Sequence, residues 1–311
     1  MSFIERALEQ MKQEAAAAVP TAPVAQPVEP RVERRADKTK APAPATTIQP
    51  LQCRNERTVP IDLVAMREAG AIAPEAEERR IAEEYRIIKR PLLKAMTGDD
   101  APKLSNVVVI TSAVPSEGKT FTSINLALSL AREHNREVVL VDGDVAKRHI
   151  THLFGLDEEP GLLDAGGTDG PDFKDVILRT DIPSLYLLPA GNQHVEATEI
   201  LRSERTASLL AALASEPRRI VLIDSPPLLV TSEAGVLTSL AGHVVMVVKA
   251  SETPQQVVEQ AIATIAEDKP VSLVLNQVVS MPDRHYGYYG YYGDYGRDKA
   301  AVDPPAPADP S

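Results

Sequence analysis

Residues 113–120 read Ala-Val-Pro-Ser-Glu-Gly-Lys-Thr, between the apolar run NVVVITS and the stretch FTSINLALSLA. A strand, a loop ending in Gly-Lys-Thr and a helix make a phosphate cradle, because backbone N–H groups of the loop and the helix start point at the anion. Ser116, Glu117, Gly118, Lys119, Thr120 and Phe121 are the residues expected at such a phosphate site. Lys119 would place a cation on the terminal phosphates and Thr120 a hydroxyl on Mg²⁺. Gly118 lacks the Cβ that would block close approach. Ala113 stands where the usual pattern opens on glycine, and the strand–loop–helix setting compensates.

Two further apolar runs end in carboxylates. EVVLVDGD closes on Asp142 and Asp144, and RIVLIDSP on Asp224. Beside a phosphate loop, such groups hold Mg²⁺ directly or through water. One could instead accept a proton from an attacking hydroxyl. A lone strand-end Asp is more often a cap or turn residue; three beside one loop favour chemistry.

Near the C-terminus, six of the eight tyrosines crowd into HYGYYGYYGDYGRD: Tyr286, Tyr288, Tyr289, Tyr291, Tyr292 and Tyr295. A phosphate site and a rack of phenols in one chain point to the phenols as phosphate acceptors. A phenol titrates near pH ~10, so it needs a base or a nearby cation to react at neutral pH.

The elements that must position these groups follow from periodicity. Apolar, β-branched runs begin at Asn106, Glu137, Ser184, Arg219, His243 and Ser272, and helical stretches separate them. Continuous apolar strands alternating with helices predict an α/β fold, a mostly parallel sheet covered on both faces. Ligand loops then gather at the carboxyl ends of the strands. The chain divides into a short amphipathic helix (1–18), a disordered Pro/Ala-rich linker (19–60), a helical segment (61–104), the core (105–280) and a flexible tyrosine-rich tail (281–311). Pro91 is expected to kink or break the second helical segment.

Composition sets the outer limits. The net charge of -11 argues against a generic nucleic-acid binder. Cys53 is the single cysteine, which excludes an internal disulfide and a Cys-based metal site. No apolar run reaches the ~18 residues of a membrane span. Charges interrupt the apolar N-terminal positions, so no secretory signal is read there and a cytoplasmic location is expected.

SAVPSEGKT, VVLVDGD and IVLIDSPP together resemble the Walker A, A′ and B motifs of the bacterial tyrosine kinases, a branch of the P-loop ATPases. The similarity runs from about Glu75 to Tyr295, and the N-terminal SFIERALEQM resembles the exosortase-associated exopolysaccharide branch. The resemblance implies ATP and Mg²⁺ as cofactors. It implies Thr120, Asp144 and Asp224 as the metal-holding set and Asp142 as proton acceptor, with Asn276 near the adenine. The tail is then the autophosphorylation cluster. A membrane polysaccharide chain-length regulator would be the activator, placing the protein at the inner face of the membrane through that partner. A family oligomerisation motif corresponds to Glu83, Arg86 and Lys89, with Lys in place of Arg, which loses the planar fork. Ala146 stands where the family often has an Arg. The short tether between core and tail predicts transfer to the tail of a neighbouring subunit.

The alternative is a spatial-organisation ATPase of the partitioning or division-site type. Its loop carries a signature Lys where this chain has Val114, and glycines where it has Pro115 and Ser116. A non-catalytic, ATP-binding scaffold is a third reading; retention of Lys119, Thr120 and the three aspartates speaks against it.

Overall fold

The computed structural model describes residues 51–97 and 102–278. The expectations for the N-terminal helix and the tyrosine tail lie outside these residues. The strands are β1 (Thr58–Val59), β2 (Val107–Ser112), β3 (Glu137–Asp142), β4 (Leu178–Thr180), β5 (Leu185–Leu188), β6 (Arg219–Asp224), β7 (His243–Lys249) and β8 (Val271–Asn276). They form one eight-stranded sheet in the order β1-β4-β5-β3-β6-β2-β7-β8. Every pairing is parallel except β4 with β5. The mostly parallel sheet read from the six apolar runs is therefore the fold observed.

Its central strands β2, β3 and β6 are buried at every position, because helices cover both faces. Val107, Val109, Val139, Val141, Val221 and Ile223 pack on one face. Helices α5 (Leu162–Gly166), α8 (Glu204–Ala214) and α9 (Ser232–Leu240) cover that side. Val108, Ile110, Val138, Leu140, Ile220 and Leu222 face the other way. There they meet α2 (Glu78–Thr97) and α3 (Lys119–Ala131) through Tyr85, Leu92, Ile124 and Leu130. Burying one such aliphatic side chain contributes about 1.5–3 kcal/mol, so the double-sided core dominates stability.

Two sequence expectations need correction. The disordered linker is expected to reach residue 60, yet Leu51 is buried in the core and β1 pairs with β4. Leu51 N–H donates to the buried Glu137 carboxylate at 3.1 Å, an anchor 86 residues away that composition cannot reveal. Pro91 does not break α2. It and Ile87, whose carbonyl loses its helical partner, are both exposed, and water can satisfy that oxygen. The stretch Ala197–Ala214 forms two helices, α7 (Ala197–Arg202) and α8, because Ser203 caps the second by accepting from Thr206 N–H.

Buried at the amino ends of β3 and β6, Arg219 meets Glu137 with Nε and Nη2 at 3.0 and 2.9 Å from Oε2. The opposite, carboxyl end of the same strands carries the aspartates.

Candidate active site

Gly118 and Ser116 take left-handed backbone conformations, φ 90° and 67°, which curl the loop before α3 begins at Lys119. A Cβ on Gly118 would lie 2.0 Å from Asn276 Nδ2. Gly118→Ala is therefore expected to weaken ATP binding at least ~10-fold, because a left-handed alanine is itself strained and Asn276 must also move. Titration with a fluorescent ATP analogue checks this; unchanged affinity would show that the close approach is not needed.

Thr120 Oγ1 donates to Asp224 Oδ2 at 2.7 Å, joining the helix start to the end of β6. Ser123, one turn on, donates to Asp224 Oδ1 at 2.8 Å. Asp224 has no exposed surface, and burial together with the neighbouring Asp142 charge pushes its pKa up to about 7 against the pull of Thr120 and Ser123. A cation bound there would reverse that shift. Lys119 is almost buried; desolvation lowers its pKa, while Asp224 and Asp144 oppose the fall. The loop, the Lys119 cation and the carboxylates of Asp224 and Asp144 thus lie together at one end of the sheet.

Asp142 lies opposite Asp224 in the β3–β6 register. Its Oδ2 accepts from Thr151 N–H and Oγ1 at 2.8 and 2.7 Å, and its Oδ1 is buried without a hydrogen-bond partner. Burial pushes its pKa up to about 6, against the Thr151 bonds. Asp144 is nearly buried, and its Oδ1 accepts from Lys147 N–H at 3.3 Å.

The donor set suits Mg²⁺, which takes one or two protein oxygens and leaves the rest to water and phosphate. Hard oxygens of Thr120 and Asp224 already meet, with Asp144 at the next strand end. Among the described residues, no three His, Cys, Asp or Glu side chains form a closed metal cage.

Four expected site residues have roles the motif does not reveal. Glu117 is buried, and its carboxylate bonds protein groups rather than facing the cradle: Oε2 accepts from Val114 N–H at 2.9 Å, and Oε1 from Lys249 N–H at 3.1 Å. The Phe121 ring packs against the α2–α3 side of the core, which leaves its backbone for a nucleotide. Asn276 Nδ2 donates to Glu117 O at 2.9 Å, so it stands over the loop. Lys89 faces inward, bonding Ser129 O at 3.0 Å and Glu133 at 2.6 Å, whereas Glu83 and Arg86 pair with each other on the exposed face. Lys89 is therefore corrected as a surface contact: its side chain already has partners in its own chain. Arg90, next along, is exposed.

Sequence reading missed Ser123 and Thr151. Ser123 was legible as the i+3 neighbour of Thr120 on one helix face. Thr151 carried no signal, since it reaches Asp142 through a turn.

A phosphate loop at the switch of a parallel sheet, with a hydroxyl and a carboxylate joined at its mouth, defines a P-loop nucleotide-binding domain. The chain belongs to the AAA-domain family, whose model matches residues 105–277, and it is similar to proteins named tyrosine kinases. It is 31% identical over 188 residues to the tyrosine-protein kinase wzc of Salmonella typhimurium, across 59% of this chain and 26% of that protein. It is 27% identical to the tyrosine-protein kinase YwqD of Bacillus subtilis over 67% of this chain and 85% of that one. The crystal structure of the VpsO kinase domain superposes with a TM-score of 0.54 at 27% identity, covering 66% of this chain and all of that domain. The match spans about a quarter or less of the length of wzc and of the EpsB protein of Ralstonia nicotianae. Among the described residues, no helix is long and apolar enough to cross a membrane.

Proposed function

We propose that the chain is an ATP-dependent protein-tyrosine kinase that phosphorylates its own C-terminal tyrosines. The distribution of phenols carries this reading. Tyr85 is buried, with burial holding its pKa well above the usual phenol range. Tyr186 is half-buried, with its pKa pushed up to about 12 by burial and then by the Glu137 charge. Neither is presented as an acceptor, and the six others follow the core within one short run.

Lys119 and the loop N–H groups would orient the γ-phosphate, and Asp142 would take the phenol proton on the buried Oδ1. A pKa raised to about 6 suits a base working near neutral pH. Bound Mg²⁺, held by Thr120, Asp224 and Asp144, would neutralise charge on the transferring phosphoryl group. Positioning and charge then supply most of the catalysis.

Phosphates on six tyrosines would add about -9 to -12 charges. That change would separate assembled copies and so regulate polysaccharide synthesis or export, with a membrane chain-length regulator as activator. The protein would sit at the inner membrane face through that partner. Oligomerisation through Glu83 and Arg86 is part of the proposal, with Arg90 taking the place of Lys89.

Transfer between copies is the proposed route, and tether length alone does not select it. Eight residues lead from Val278 to Tyr286, a reach of up to about 29 Å from a strand end beside the phosphate loop. The test mixes a catalytically dead chain bearing the tail with an active chain whose six tail tyrosines are Phe, in MgATP. Phosphotyrosine on the dead chain is expected. None there, with phosphate on intact wild type, would make transfer intramolecular; none on either would sink the kinase reading.

The spatial-organisation alternative gains nothing from the structure. Val114 supplies no cation, and its N–H is tied to Glu117.

A further inference from the structure

Glu117 is a carboxylate one residue from the phosphate cradle, nearly free of exposed surface, and its contacts do not resemble those of a ligand-binding group. Oε2 accepts from Val114 N–H within the loop. Oε1 accepts from Lys249 N–H, the last residue of β7, and from Thr253 Oγ1 at 2.5 Å in the turn that follows. The Glu117 carbonyl accepts from Asn276 Nδ2 at the end of β8. Asn276 O in turn accepts from Ala250 N–H at 2.9 Å. These bonds close a ring: phosphate loop, β7 turn, β8 end and back to the loop. The partners lie 132, 136 and 159 residues from Glu117, so the ring exists only in the folded chain.

Charge-assisted bonds to a buried carboxylate are roughly twice as strong as neutral ones. The ring thus fixes the left-handed Ser116–Gly118 turn by more than its own torsional preference. It also ties the phosphate end of the site to the turn Lys249–Thr253 and to Asn276, the residue standing over Gly118.

We propose that Thr253 is a positioning residue for nucleotide binding: its hydroxyl, acting through Glu117, holds the phosphate loop in its binding conformation. Thr253 itself need touch no phosphate. Its bond orients the Glu117 carboxylate, and Glu117 orients the Val114 N–H and the loop that follows. The proposal rests on the reading that the loop binds a nucleoside triphosphate, and it does not depend on transfer to tyrosine.

The test measures affinity for a fluorescent ATP analogue, and Tm, in the full chain. Thr253→Val is expected to weaken binding about 3- to 10-fold, the worth of one hydrogen bond. Thr253→Ser, which keeps the hydroxyl, is expected within about twofold of wild type. Glu117→Gln sets an amide donor against a backbone donor and is expected to lose about 10-fold or more. The double variant Glu117→Ala/Thr253→Val is expected to bind no worse than Glu117→Ala alone, since the alanine already removes the acceptor of the Thr253 bond. At saturating MgATP, tail phosphorylation by Thr253→Val is expected to reach the wild-type kcat, with the loss confined to KM. Wild-type affinity in Thr253→Val overturns the proposal. So does additivity in the double variant, or a loss that tracks Tm and is not restored by Thr253→Ser. Failure of wild type to bind ATP overturns the nucleotide reading itself, whereas ATP binding without phosphotyrosine overturns only the kinase reading.

Discussion

Lys119→Met is expected to lower tail phosphotyrosine roughly a hundred- to thousandfold, the cost of removing one preorganised charge donor from a transition state. Lys119 opens α3, sits almost wholly inside the protein, and is flanked by Asp224 and Asp144. Methionine keeps the length and the packing of the stem, so the loop should persist while the cation is lost. Phosphosite mapping of both proteins, purified from a host without other tyrosine kinases, reads the effect. The Met variant should retain the wild-type Tm, which separates loss of chemistry from loss of fold. A Met variant with undiminished phosphotyrosine on Tyr286–Tyr295 would remove Lys119 from the mechanism and the autokinase proposal with it. Comparison with and without a candidate membrane regulator shows whether the wild-type level depends on an activator.

The largest stability effect is expected at the other end of the same strands. Glu137→Ala should destabilise the domain by about 3–5 kcal/mol, because Arg219 keeps a buried charge and loses its carboxylate. In Tm that is a fall of roughly 6–20 °C for a domain of this size. The two side chains expose only 7% and 8% of their surface, so solvent cannot take over. Glu137 also accepts from Leu51 N–H and, at 3.4 Å, from Tyr186 Oη, so the segment entering the domain should loosen as well. Thermal unfolding checks the first effect and hydrogen exchange at residues 51–59 the second. Replacing both partners together, Glu137→Met with Arg219→Met, should recover most of the loss, since paired apolar groups remove the orphaned charge. If Glu137→Ala melts with wild type, the pair contributes no net stability.

Much of this protein is legible in its sequence. Six apolar runs became six strands of one sheet, because a strand buried on both faces must be apolar throughout its length, and the phosphate loop and the three aspartates lie at the carboxyl ends of β2, β3 and β6. AVPSEGKT could be read locally, since a phosphate loop is built from consecutive backbone groups. The short strands β1 and β4 escaped: two and three residues are too few to show a period. Lys89 was misplaced because residue type does not report which side of a helix faces inward. A lysine can turn inward when a carbonyl and a carboxylate await it, as Ser129 and Glu133 do here.

By itself, then, the sequence determined the class of fold, the phosphate loop, the three strand-end aspartates and the crowding of phenols beyond the core, because each is written in neighbouring residues. Only the tertiary structure decided that Thr120 and Asp224 meet, that Thr151 holds Asp142, and that Glu117 binds Thr253 and the backbone of Lys249 rather than turning to the cradle. Those bonds join residues about 9 to 136 positions apart, and their partners are set by how strands pack side by side, which no local pattern encodes.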